Sequence, residues 1–145
     1  MHMDTDRWNN RVRTISAMVS DTLMGYTNYW HQKRSFTDKE WKQIFNEYLY
    51  VLDLEMIEPI ELENKEAIIF NGKSESCETF YLMKNLEDYF KCNHMGKYYK
   101  DNFDKQGYHF NFCKTRMFPY DLSVWYLCVA MSKISPDNIS IERDR

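Results

Sequence analysis

Glycine and proline are scarce: four and three residues among 145. With so few glycines, the "CKT" at residues 113–115 has no preceding GxxxxG, which excludes a phosphate-cradling P-loop. The four cysteines (Cys77, Cys92, Cys113, Cys128) form no CxxC pair, and the opening "MHMDTDRWNN" lacks the apolar core of a signal peptide. The longest apolar stretch, residues 122–131, is about half of a membrane span. The chain therefore reads as cytoplasmic, with reduced thiols and no membrane contact. It has no internal repeat, linker or low-complexity segment. Residues 1–145 fit a single domain large enough to bury about two thirds of its unfolded surface.

Aromatic residues are abundant at 17%, with 11 Tyr, 9 Phe and 4 Trp, enough to build a folded core. Net charge is only −3, but it is laid out unevenly. Residues 37–66 carry nine acids against three lysines, and residues 84–116 carry seven cations against four acids. Both segments read first as solvated faces, and second as surfaces that steer a partner. Nine carboxylates in thirty residues fall well short of a DNA mimic.

Apolar periodicity predicts a first helix over residues 6–32, with Trp8, Val12, Ile15, Val19, Leu23, Tyr26 and Trp30 on one face. A second helix starts at a capping box, Thr37 with Glu40, stapled by Phe36 on Trp41. Its buried stripe is Trp41, Ile44, Phe45, Tyr48, Leu49 and Leu52, and the short "KRSF" joins the two helices into an antiparallel hairpin. Past Pro59, "EAIIFNGKSESCETFYL" reads as a β-hairpin around Asn71-Gly72, with a loop longer than two residues. Residues 84–106 suggest one short helix in "NLEDYFKCNH" with Gly96 behind it. "YHFNFCKT" alternates as a strand, with Tyr108, Phe110 and Phe112 on one face and His109, Asn111 and Cys113 on the other. A helix after Pro119 is apolar around most of its circumference and therefore central; "ISIERD" supplies a last strand. The expected fold is α+β: an N-terminal helical hairpin, a small, mostly antiparallel sheet and a buried C-terminal helix.

No catalytic constellation stands out. Cys92-x-His94 with His109 and Cys113 is too tightly spaced for a typical zinc knuckle, so no metal is assigned and no cofactor is implied. Cys113 beside Lys114 and Arg116 is the one thiol in a cationic setting, which would lower its pKa, with His109 as a base. A buried structural thiol is the simpler account. Tyr89, Phe90, Tyr98, Tyr99, Phe103 and Tyr108 are interleaved with Lys91, Lys97, Lys100 and Lys105, a pattern that suits stacking on bases while lysines follow phosphates. Lys97, Tyr98 and Lys100 are its candidate binding residues.

"CETF" at residues 77–80, with "FNFCKTRMFPYDLSVWYLCVA" from residue 110, resembles a pattern of small uncharacterised phage and prophage proteins. There an F-x-F-x-K-T strand leads through K-P-Y-D into a helix with V-x-x-x-L. The resemblance covers residues 66–134 and is carried by Phe110, Phe112, Lys114, Thr115, Pro119, Tyr120 and Asp121; Phe118 departs from it, replacing a basic residue. It implies phage origin and an early, non-structural gene, and no activity. The same stretch offers two physical readings. Asp121 can cap a helix that Pro119 aims and Thr115 or Lys114 ties back, a scaffold corner. Alternatively Lys114, Arg116, Tyr120 and Asp121 form an anion-binding corner at a helix N-terminus. The expectation is a non-enzymatic accessory protein that binds a host or phage protein in the infected cytoplasm, with nucleic-acid binding through residues 84–116 as the alternative. Exposed aromatics also permit a homo-oligomer.

Overall fold

The computed structural model describes residues 27–144. Within them, four helices and two three-stranded antiparallel sheets form a mixed α+β fold. In chain order these are β1 (Thr27–Gln32), α1 (Asp38–Asp53), β2 (Ile57–Pro59), β3 (Ala67–Gly72), β4 (Phe80–Met83), α2 (Leu86–Phe90), α3 (Gly96–Gln106), β5 (His109–Lys114), α4 (Asp121–Ile134) and β6 (Ile139–Arg143). One sheet has the order β5-β1-β6 and the other β2-β3-β4.

The first expected helix is corrected at its end. Thr27–Gln32 is the central strand of the first sheet, with Tyr29 opposite Phe112 on one side and Glu142 on the other. Strand pairing on both edges satisfies the backbone that a helix would have satisfied internally. Residues 6–26 of that helix lie outside the described residues. "KRSF" therefore joins a strand to a helix, so from Thr27 onward a strand–turn–helix unit replaces the expected helical hairpin. Asn138 holds this turn, its Oδ1 accepting the Lys33 and Arg34 N–H groups at 2.9 and 2.8 Å.

The second helix begins as expected. Thr37 Oγ1 accepts the Glu40 N–H at 3.1 Å, and Glu40 Oε1 accepts the Thr37 N–H at 2.9 Å. The Phe36 and Trp41 rings lie 6.0 Å apart, as a staple requires. The buried stripe differs in register: Leu49 is exposed, while Glu47 and Val51 turn inward. Burial of Glu47 is tolerated because its Oε2 accepts the Tyr126 hydroxyl at 2.6 Å.

β3 and β4 form the expected hairpin, but Asn71-Gly72 still belongs to the strand and residues 73–79 make the turn. Gly72 is required by close approach. A Cβ there would lie 2.1 Å from the Glu75 carbonyl oxygen and 2.7 Å from Tyr120 Cδ1. Gly72→Ala should therefore destabilise by about 1–3 kcal/mol, read as a lowered thermal midpoint. A midpoint equal to that of the parent chain would show that the turn yields freely.

Residues 86–106 hold two helices, and Gly96 opens the second instead of ending the first. Gly107, at φ 81°, caps α3 in the left-handed region that glycine adopts without penalty. α4 is the buried central helix: Val124, Leu127, Cys128 and Met131 are fully enclosed, and Trp30, Phe70 and Phe80 from the two sheets join the same core.

Candidate functional site

The corner at residues 114–121 is built as a scaffold. Tyr120 is fully buried; its hydroxyl donates to the Glu78 carbonyl at 2.8 Å and accepts the Cys77 N–H at 3.1 Å. Burial pushes this phenol's pKa up. Asp121 is also buried, accepting from Asn28 Nδ2 at 2.9 Å, from the Thr115 hydroxyl and from the Arg143 guanidinium. Thr115, not Lys114, thus ties the strand end to the helix start. Lys114 and Arg116 remain exposed, with Arg116 and Met117 both in the left-handed region at φ 53° and 62°. An incoming anion would meet the Asp121 carboxylate already seated at the α4 N-terminus, where it complements the helix dipole.

Thiol chemistry has no support here. Cys113 faces inward while Lys114 faces solvent, so the expected cationic setting does not form. Burial, reinforced by the Glu78 and Asp121 carboxylates, raises the Cys113 pKa far above the usual thiol range. His109 is buried against Tyr89, ring centroids 4.2 Å apart, and burial lowers its pKa to about 4. Among the described residues, no three His, Cys, Asp or Glu side chains stand together as a metal set.

A second region concentrates exposed apolar surface. β5 turns His109 and Cys113 into the core and leaves Phe110 and Phe112 outside, 40% and 49% exposed. Cross-strand register puts Tyr29 and His31 on that same outer face. Tyr29 stacks on Phe110 at 5.7 Å, Phe110 meets Phe112 at 5.8 Å, and His31 contacts Tyr108 edge-on at 4.7 Å.

α3 folds back beside this face through Gly107. Its Tyr98, Tyr99, Asn102 and Gln106, with Met95 just before it, line a groove of about 490 Å³ together with His31, Tyr108, His109, Phe110 and Phe112. Tyr98 is 60% exposed. None of the groove-lining residues is Lys, Arg, Asp or Glu.

The candidate residues of the basic segment divide between these surroundings. Tyr98 lines the groove, but Lys97 and Lys100 do not. Lys100 pairs with Asp104 at 2.7 Å and lies 5.6 Å from the Phe90 ring. Of the six aromatics expected to stack on bases, Tyr98, Tyr99 and Tyr108 line the groove. Tyr89 is buried, and Phe90 and Phe103 pack on each other at 5.6 Å. The groove residues missed from sequence are His31, Met95, Asn102, Gln106, Phe110 and Phe112. The alternation in "YHFNFCKT" separates the two faces correctly, yet nothing local marks the aromatic one as outward.

No helix among the described residues is long and apolar enough to cross a membrane. No protein-family model, curated protein or solved structure matches the chain.

Proposed function

We propose that the chain is a phage-encoded, non-structural accessory protein that acts in the host cytoplasm by binding a host or phage protein through the aromatic groove. The phage-type pattern around residues 110–121 supports the origin. The uncharged aromatic groove supports the activity, and it is the observation on which the reading rests. Contiguous exposed apolar surface is uncommon on a monomer, and Tyr, Phe and Met are enriched where proteins meet. The alternative, nucleic acid along residues 84–116, requires cations that track phosphates beside the stacking rings. The lysines of α3 stand outside the groove that its tyrosines line.

The test is capture from nuclease-treated host lysate by the parent chain and by Tyr98→Ala/Phe112→Ala. A discrete protein retained by the parent and reduced about thirtyfold by the double variant is expected, as befits two central anchors. Capture indifferent to the double variant would remove the groove from the reading. Capture abolished by nuclease, with an affinity falling steeply with salt, would transfer the function to nucleic acid.

A further inference from the structure

We infer that the open edge of β6 pairs with β6 of a second copy of this chain, antiparallel and across a two-fold axis. The inference does not rest on the groove. Within the described residues the two sheets have four edges, and three of them are closed to strand addition. β4 and β5 face each other: the Glu78 N–H donates to the Lys114 carbonyl at 2.9 Å, and Asn111 Nδ2 to the Tyr81 carbonyl at 3.0 Å. β2 is only three residues long. The Ile60 N–H donates to the Ile69 carbonyl and the Lys73 N–H to the Met56 carbonyl, at 2.9 and 3.0 Å. Bonded pairs alternate along an antiparallel ladder, so Ile57 and Pro59 turn their backbone groups away from β3. Proline has no N–H to offer there, which blunts that edge.

β6 carries no such block; among the described residues its one strand partner is β1. The Asp144 N–H donates to the Thr27 carbonyl and the Lys33 N–H to the Asn138 carbonyl, both at 3.1 Å. By the same alternation Ser140 and Glu142 bond β1, while Ile139, Ile141 and Arg143 turn outward. The Ser135 carbonyl takes the Ile139 N–H at 2.9 Å. The Ile139 carbonyl and both backbone groups of Ile141 and Arg143 are left without a strand partner, a template for another strand.

Charge selects the register. With Ile141 opposite Ile141 of the second copy, four backbone bonds form: two between the isoleucines, and one from each Arg143 N–H to an Ile139 carbonyl. Ser140 then faces Glu142, a hydroxyl against a carboxylate. A slip that sets Ile141 opposite Arg143 brings the two exposed Glu142 side chains directly across from each other, which is unfavourable. The opposite slip sets Ile141 against Ile139, whose N–H is already engaged, and loses bonds. The two-fold is isologous, and the product is a six-stranded sheet of order β5-β1-β6-β6-β1-β5.

The experiment follows the full chain by sedimentation equilibrium and by amide hydrogen exchange read in NMR spectra. A reversible dimer is expected, with the Ile141 and Arg143 N–H groups protected only at concentrations that populate it. Ser140 is exposed, so substituting it leaves the fold intact. Ser140→Glu sets like charges opposite each other twice and should weaken the dimer about tenfold. Ser140→Lys faces Glu142 of the second copy and should tighten it about threefold. Tyr98→Ala/Phe112→Ala should leave the dimer constant unchanged, which separates this inference from the groove. A chain that stays monomeric at millimolar concentration overturns it. So does a dimer in which Ile141 and Arg143 exchange as fast as in the monomer, or one that the groove variant dissociates, since its interface then lies elsewhere. Equal dimer strength in the two Ser140 variants overturns the register.

Discussion

Asp121→Ala should lower the unfolding free energy by about 3–5 kcal/mol, a large share of what a domain of this size has to lose. The carboxylate is enclosed and receives Asn28, Thr115 and Arg143 together. Arg143 is itself nearly inaccessible, its guanidinium 4.9 Å from the centre of the Trp125 ring. Removing the acid strands a buried positive charge as well as two polar groups. The double variant Asp121→Ala/Arg143→Met should recover much of the loss, since neither charge then remains to be compensated. Urea unfolding of the three chains checks this. A single variant within about 1 kcal/mol of the parent would mean that Arg143 finds water when its partner goes, and that the corner opens readily to solvent.

Acid should destabilise the fold earlier than carboxylate titration alone would. Burial lowers the His109 pKa from an ordinary value near 6.5 to about 4, so between those limits the unfolded chain binds more protons than the folded one. Stability is therefore full above about pH 6.5 and declines as pH falls to about 4, a loss of about 3 kcal/mol over the window. Glu40 acts lower down. The Arg34 guanidinium, at 2.8 Å, holds its carboxyl at about 2, so its contribution disappears only as pH falls from about 4.5 towards that value. His109→Phe keeps a ring against Tyr89 and removes the titrating group. Its unfolding free energy should be nearly flat from pH 6.5 to 4.5, where that of the parent slopes. Parallel pH profiles for the two chains would show that His109 is reached by solvent in the native state.

Features set by a few neighbouring residues are legible in the sequence. The Thr37–Glu40 capping box, the long hairpin loop, the buried α4 and the closing β6 each depend on signals within one turn or one strand. β1 is not legible, because Tyr26 and Trp30 sit at helical spacing from Leu23 and the partners that make Thr27–Gln32 a strand lie near residues 110 and 140. The outward face of β5 is hidden for a related reason. Phe110 and Phe112 look more hydrophobic than His109, Asn111 and Cys113, and so resemble an inner set. The fold instead commits that inner face to the Tyr89–His109 stack and to the Asn111 amide, which donates to the Tyr81 carbonyl and the Tyr89 hydroxyl at 3.0 and 3.2 Å. At the corner, the sequence marks Tyr120 and Asp121 as special, and the structure gives the reason as burial and hydrogen bonding. The groove depends on α3 docking beside β5, which no local pattern encodes.

Docking of partners in the aromatic groove is tested most directly by site-specific photo-crosslinking in cells. A photoreactive side chain would replace Tyr98 in one chain and Lys114, at the corner, in another. A single protein adduct from position 98, absent from position 114 and undiminished by nuclease, is the expected result. An adduct from position 114 alone, or adducts to nucleic acid from position 98, would contradict it.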